Sequence, residues 1–208
     1  LEVDRWHDSL RSLPIWQLSG AYFVCGATTS MLGVHFVPYA IGQGISPTMA
    51  ASAFGFMMFL NIAGGTGAGM LSDRFSRKNM LAMVYFVRGC AYILLLTVPG
   101  TASLWAFASV AGFSWIATIP LTTSLAADVY GLRKLGTISG LTFLCHQVGG
   151  AVSTLMAGYL FDLTGSYTIP FAIAGSLLFP AALVSFTIQE RKYSIRYQTA
   201  PAASAGAS

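Results

Sequence analysis

Six apolar runs, each long enough to cross a hydrocarbon layer, follow one another along this chain, and its cations fall in every second break between them. A helix needs about 20 apolar residues to span a bilayer. Runs of that kind extend from Pro14 to Ala40, Thr48 to Leu71, Asn79 to Val98, Ala102 to Ala127, Gly136 to Phe161 and Thr168 to Ile188. Of the 11 Lys and Arg, all but Arg88 lie outside the runs. Arg5 and Arg11 precede the first; Arg74, Arg77 and Lys78 follow the second; Arg133 and Lys134 follow the fourth; Arg191, Lys192 and Arg196 follow the sixth. Cytoplasmic loops collect positive charge. The pattern therefore predicts an all-α membrane protein of six transmembrane helices, with both ends and both basic loops in the cytoplasm, and it requires an even number of crossings.

Composition agrees. Of 208 residues, 55% are apolar and 9% charged, against about 25% charged in an ordinary soluble domain, and the mean hydropathy is +0.66. A water-facing surface cannot be assembled from so few charges. The basic pI of about 9.1 does not point to nucleic acid, because the cations are spread over four short segments with no basic face or interleaved stacking aromatics. Cys25, Cys90 and Cys145 each fall inside an apolar run without metal or redox spacing and read as small buried hydrophobes; no cofactor or metal is implied. The opening LEVDRWHDSLRS has neither an initiator Met nor the apolar segment of a secretory signal. Residues 1–13 accordingly read as the cytoplasmic end of a linker, 14–188 as the six-helix bundle and 189–208 as a cytoplasmic tail, expected to be disordered through its closing APAASAGAS.

The most specific motif joins the second and third runs: Gly69, then Asp73, Arg74, Arg77 and Lys78. It resembles the G-x-x-x-D-R-x-x-R/K signature loop of the major facilitator superfamily. The physics suits a gate: Gly69 permits close helix approach, Asp73 can sit against a helix N-terminus, and the cations can pair with carboxylates. A second basic loop carries Asp128, Gly131, Arg133 and Lys134. With the fifth run's exit at Gly158, Asp162 and Gly165, and the phrases around His35 and His146, it is similar to bacterial members that look like monocarboxylate and oxalate:formate carriers. The likeness covers about Leu13 to Arg191. Gly69-x-x-x-Asp73 recurs as Gly158-x-x-x-Asp162 at the opposite end, as an inverted three-plus-three repeat predicts. The resemblance implies half of a twelve-helix major facilitator fold, one wall of a central cavity, facing an N-terminal six-helix half.

Polar groups inside a span are expensive and therefore informative. Arg88 lies about nine residues into the third run, roughly 13 Å at 1.5 Å per residue, too deep to snorkel easily. Its chemistry suits a bidentate grip on a substrate carboxylate, whereas the third helix of each triplet in the resembled fold supports the bundle from outside, which favours bonds to neighbouring helices. Asn61, Trp115, His146 and Gln147 also sit near mid-depth, on runs that line the cavity in the resembled fold. Asn61 and Gln147 can hydrogen-bond a substrate, Trp115 can wall the site, and His146 can bind an anion or carry a proton near neutral pH; interhelical hydrogen bonding is the alternative use of all four. His35, near Pro38, is placed at the outer mouth. Pro120 and Pro180 are expected to kink or loosen their helices, the fourth run being the better hinge.

The expected function is secondary transport of a small organic anion, monocarboxylate-like, coupled to protons or run as an exchange, in a bacterial inner membrane. The binding residues are expected to be His146, Gln147, Asn61, Trp115, Arg88 and His35, and the gate Gly69, Asp73, Arg74, Arg77, Asp128 and Arg133. A membrane-embedded enzyme is disfavoured, since Cys145 and His146 point about 100° apart on a helix and no other catalytic constellation appears. A channel lacks charge rings or a filter sequence. A transporter of another solute, or a receptor with the same fold, remains open to a transport assay.

Overall fold

A computed structural model describes residues 3–194. A 3-10 turn, Trp6–Arg11, leads into α1 (Leu13–Gly42), α2 (Pro47–Ser72), α3 (Arg77–Thr97), α4 (Thr101–Trp115), α5 (Thr118–Tyr130), α6 (Leu135–Thr164), α7 (Thr168–Thr187) and the short α8 (Glu190–Tyr193). Local chemistry sets the ends. Ser46 accepts the Met49 amide and Pro47 opens α2, where a missing N–H costs nothing. Gly165 closes α6 at φ +68°, a backbone setting that a side chain disfavours.

Among the described residues, five stretches are long and apolar enough to cross a membrane: α1, α2, α3, the Thr101–Tyr130 stretch formed by α4 and α5 together, and α7. The 30-residue α6 is not among them, because His146, Gln147, Gly149, Gly150 and Ser153 interrupt its apolar character. The expected fourth span, Ala102–Ala127, is not one helix but two, parted at Ile116–Ala117.

The helices pair α1 with α6, α2 with α4 and α3 with α7. Glycine lets the first two pairs touch backbone to backbone. A Cβ on Gly26 would collide with the His146 carbonyl, and one on Gly64 with the Phe113 carbonyl. Small residues give this approach in membrane helices, where dispersion contacts replace the hydrophobic drive. Gly69, expected to permit close helix approach, does not make one within this chain: like Gly67 it has no neighbour within 4 Å of where a Cβ would stand.

The segments carrying the cations meet at one end. Arg77 of α3 pairs with Asp128 of α5 at 2.7 Å, Lys78 donates to the Phe186 carbonyl of α7 at 2.9 Å, and Arg133 pairs with Asp4 at 2.7 Å. Arg77 and Arg133 thus lie on one side of the bundle, as the even alternation requires. Residues 189–194, assigned to the tail by sequence, contain α8, whose Glu190 is 1% exposed. Its carboxylate accepts from Ser76 Oγ at 2.5 Å and from the amides of Arg77 and Lys78 at 3.1 and 3.3 Å. A carboxylate at a helix N-terminus satisfies donors that the helix leaves orphaned, which is why the chain stays packed here. The remaining tail, with Arg196 and APAASAGAS, lies outside the described residues.

Candidate functional site

Pro120 has no N–H to return to Ile116, and its ring crowds that carbonyl. The chain answers by tightening: the Ile119 amide bonds the Ile116 carbonyl at 2.9 Å, three residues back, which takes from the Trp115 carbonyl its usual partner at Ile119. The break falls midway along Thr101–Tyr130, where no water is at hand and a bare backbone group costs several kcal/mol, on the order of the figure for hydrocarbon. Arg88 and Asn61 supply the missing partners. Arg88, 1% exposed, donates to Ser114 Oγ at 3.1 Å, to the Ser114 carbonyl, and to the Trp115 carbonyl at 3.1 Å. Asn61, 5% exposed, accepts the Ile116 amide through Oδ1 at 2.9 Å. Two of the expected binding residues are therefore committed to backbone. Trp115, half-buried beside the break, sets its ring edge-on to Phe54 at 6.2 Å.

From Arg88 a polar seam runs across α1 to α6. Its Nη1 lies 3.7 Å from Cys25 Sγ, and that thiol shares a hydrogen bond with Thr118 Oγ1 at 3.0 Å. The Cys25 carbonyl accepts Thr29 Oγ1 at 2.8 Å, and that hydroxyl lies 3.4 Å from Nε2 of His146, whose Nδ1 is 3.1 Å from Gln147 Oε1. Tyr22 and Phe143 flank the imidazole, at 4.7 and 5.4 Å between centroids. His146 is half-buried and Gln147 exposed, so the seam opens on one face of α6. An imidazole held in this way can exchange a proton or donate to an anion, with Gln147 fixing its tautomer.

Cys25 corrects the reading of the cysteines. It is buried, but as a hydrogen-bonding hub; Cys90 is exposed and Cys145 half-buried. A thiol inside an apolar run carries no sequence signal that separates the two uses, and the same holds for Thr29, Ser114 and Thr118. His35 stands apart from the seam. Its Nε2 is 3.2 Å from the Thr154 carbonyl and its ring lies 5.1 Å from Tyr167. Burial, with the nearby Asp162 carboxylate, raises the Tyr167 hydroxyl above its ordinary pKa.

At the basic end Arg77 is the centre of the expected gate. It reaches Asp128 at 2.7 Å, Asp73 at 3.7 Å and the Ser124 carbonyl at 2.8 Å. Asp73 is the residue that closes α2; the N-terminus of α3 is met by Glu190 instead, a residue that its basic sequence neighbours disguise as tail. Arg74 is exposed, and Arg133, 70% exposed at its side chain, pairs with the still more open Asp4.

Comparison with known proteins bears on these features. The family profile described as Major Facilitator Superfamily matches residues 18–205. An uncharacterized transporter of that type from Bacillus subtilis, YcxA, is 33% identical over 175 residues, covering 81% of this chain and 42% of the relative. Monocarboxylate transporter 12-B of Danio rerio is 29% identical, covering 87% of this chain and 39% of its own length; human monocarboxylate transporter 12 is 31% identical, with 76% and 31% covered. The chain thus spans less than half of the curated relatives it matches. In fold it is similar to the Escherichia coli fucose:proton symporter, at a TM-score of 0.64 and 20% identity over 82% of this chain and 42% of that one. These relatives are transporters, not enzymes.

Proposed function

The chain belongs to the Major Facilitator Superfamily, and on that premise we propose that it forms one six-helix half of a carrier that moves a small monocarboxylate-like anion by alternating access. The observation that carries this reading is the seam ending at His146 and Gln147 on α6. That helix falls outside the set of five strongly apolar spans, and its polar groups at mid-length need either water or a facing half. In this reading α6 is the sixth crossing: 30 residues extend about 45 Å. The pairing of α1 with α6 and α2 with α4 supports two inverted triplets, in which α1 matches the α4–α5 stretch and α2 matches α6. The basic end faces the cytoplasm.

The chemistry follows from placement. His146 meets the anion as a donor and takes or releases the coupled proton; Gln147 orients it; Trp115 walls the cavity. Arg88 and Asn61 act through the α4–α5 break, which lets the two pieces tilt without exposing bare backbone. Arg77, Asp73 and Asp128 hold the cytoplasmic ends of α2, α3 and α5 together when that side is shut. His35 sits towards the outer mouth, held by α6 and Tyr167. The relatives named as monocarboxylate transporters favour an acid as substrate.

Uptake by the intact protein in proteoliposomes tests the proposal, using labelled 2-hydroxy and 2-oxo monocarboxylates beside a neutral sugar. Saturable acid uptake that rises with an inward proton gradient or with trans-loaded acid is expected, and His146→Ala is expected to lower it about 100-fold or more, the usual loss for a proton-transfer group. Sugar uptake without acid uptake would sink the substrate assignment.

A further inference from the structure

The outer face of α3 is apolar along nearly its whole length. Every exposed position on α3 between Met80 and Leu96 is apolar or cysteine, and Phe86 meets Phe179 of α7 at 5.7 Å. Between the two helices runs an open apolar groove over Met83, Phe86, Phe179, Leu183 and Phe186. Helix interfaces in membranes favour small residues that let backbones meet; large flexible side chains such as these suit a fluid acyl chain instead.

At the basic end this groove continues, through the shared Asn79 and Phe186, into a second pocket lined by Ser76, Lys78, Gln189, Glu190, Arg191 and Lys192. Lys78 gives one ammonium hydrogen to the Phe186 carbonyl, an orphan acceptor at the end of α7, and retains two more. Arg191 and Lys192 are exposed. Glu190, the one carboxylate lining this pocket, is engaged by Ser76 and by the amides of α3, so three cations and one carboxylate, a net positive charge, lie at the mouth of an acyl-sized groove.

We propose that this composite groove binds one anionic glycerophospholipid of the cytoplasmic leaflet. Its phosphate is taken by Lys78, Arg191 and Lys192, and an acyl chain lies along Met83, Phe86 and Leu183. A lipid held there bridges α8, α3 and α7, and so braces the same end that Arg77 locks to α5. The leaflet, though not the lipid chemistry, rests on the orientation stated under the proposed function.

The test is native mass spectrometry of the intact protein released from mixed phosphatidylglycerol and phosphatidylcholine vesicles. Wild type is expected to retain one phosphatidylglycerol in preference to phosphatidylcholine. Arg191→Gln with Lys192→Gln, both on an exposed turn, is expected to reduce that retention about ten-fold, in line with the attraction of surface cations for anionic lipid. Leu183→Trp, which fills the groove and leaves the cations in place, is expected to reduce it as well. Equal retention of both lipids, retention untouched by either variant, displacement by inorganic phosphate alone, or ready disulfide cross-linking of Met83→Cys between two copies would each overturn the lipid site. Thiol labelling of Asn79→Cys only from outside the cell would overturn the leaflet and the orientation together, whereas labelling from inside with no phosphatidylglycerol preference would overturn the lipid site alone.

Discussion

Pro120 and Pro180 both interrupt apolar runs, and each removes the same N–H, yet α7 continues through Pro180 from Thr168 to Thr187 while the fourth run parts at Ile116–Ala117. Pro38 behaves like Pro180, lying inside an unbroken α1. The difference is in the neighbours. Pro38 and Pro180 occupy exposed faces, and among the described residues rings of other helices pack on the turns before them without hydrogen-bonding their backbone. The turn before Pro120 faces Arg88 on one side and Asn61 on the other. Proline loosens a helix; a break at mid-membrane is stable only where donors and acceptors from other helices receive the freed backbone.

This contrast can be broken most forcefully at Arg88. Arg88→Leu takes the guanidinium from the Ser114 carbonyl and leaves the Trp115 carbonyl only the long Thr118 hydroxyl bond at 3.4 Å, and an expected loss of about 3 kcal/mol should appear as a large drop in melting temperature in detergent. Arg88→Lys should recover only part of it, because an ammonium lacks the separate Nε that holds Ser114 Oγ while Nη2 serves both carbonyls. Wild-type melting of Arg88→Leu would remove the clamp from the account. Asn61→Leu removes a single acceptor and is expected to cost about 1 kcal/mol, the scale of one interhelical hydrogen bond in a membrane. Its more telling effect should be on transport rate, since it frees one side of the hinge. The smallest effects sharpen the comparison itself: Pro180→Ala should change stability by less than about 0.5 kcal/mol, the range of an exposed substitution, and Pro120→Ala should leave the break in place, because Arg88 and Asn61 still compete for its backbone. A continuous helix in a structure of Pro120→Ala would show that the proline alone makes the break.

Much of the framework was legible from residues. The runs, their cationic breaks and the side shared by Arg77 and Arg133 follow from hydropathy and charge, and the structure keeps the helix ends within a few residues. The site was legible only in its outline. Asn61, Arg88, Trp115, His146 and Gln147 stand out because polarity is costly in lipid, but cost does not say who the partner is. Arg88 and Asn61 answer to backbone, whereas Trp115, His146 and Gln147 keep exposed surface. Cys25 read as a small hydrophobe, and Thr118 and Glu190 escaped notice, Thr118 because it resembles filler in an apolar run and Glu190 because it sits among basic neighbours at the start of the tail.

What the sequence alone determined is therefore the order of the apolar runs and the end at which positive charge gathers, since the transfer of a residue into hydrocarbon depends on that residue and its near neighbours in the chain. Only the tertiary structure decided where the fourth run breaks, which cation is locked to which carboxylate, and which polar groups remain free for a solute. Those outcomes depend on atoms from helices distant in sequence arriving within about 3 Å of one another, and no local pattern encodes that meeting.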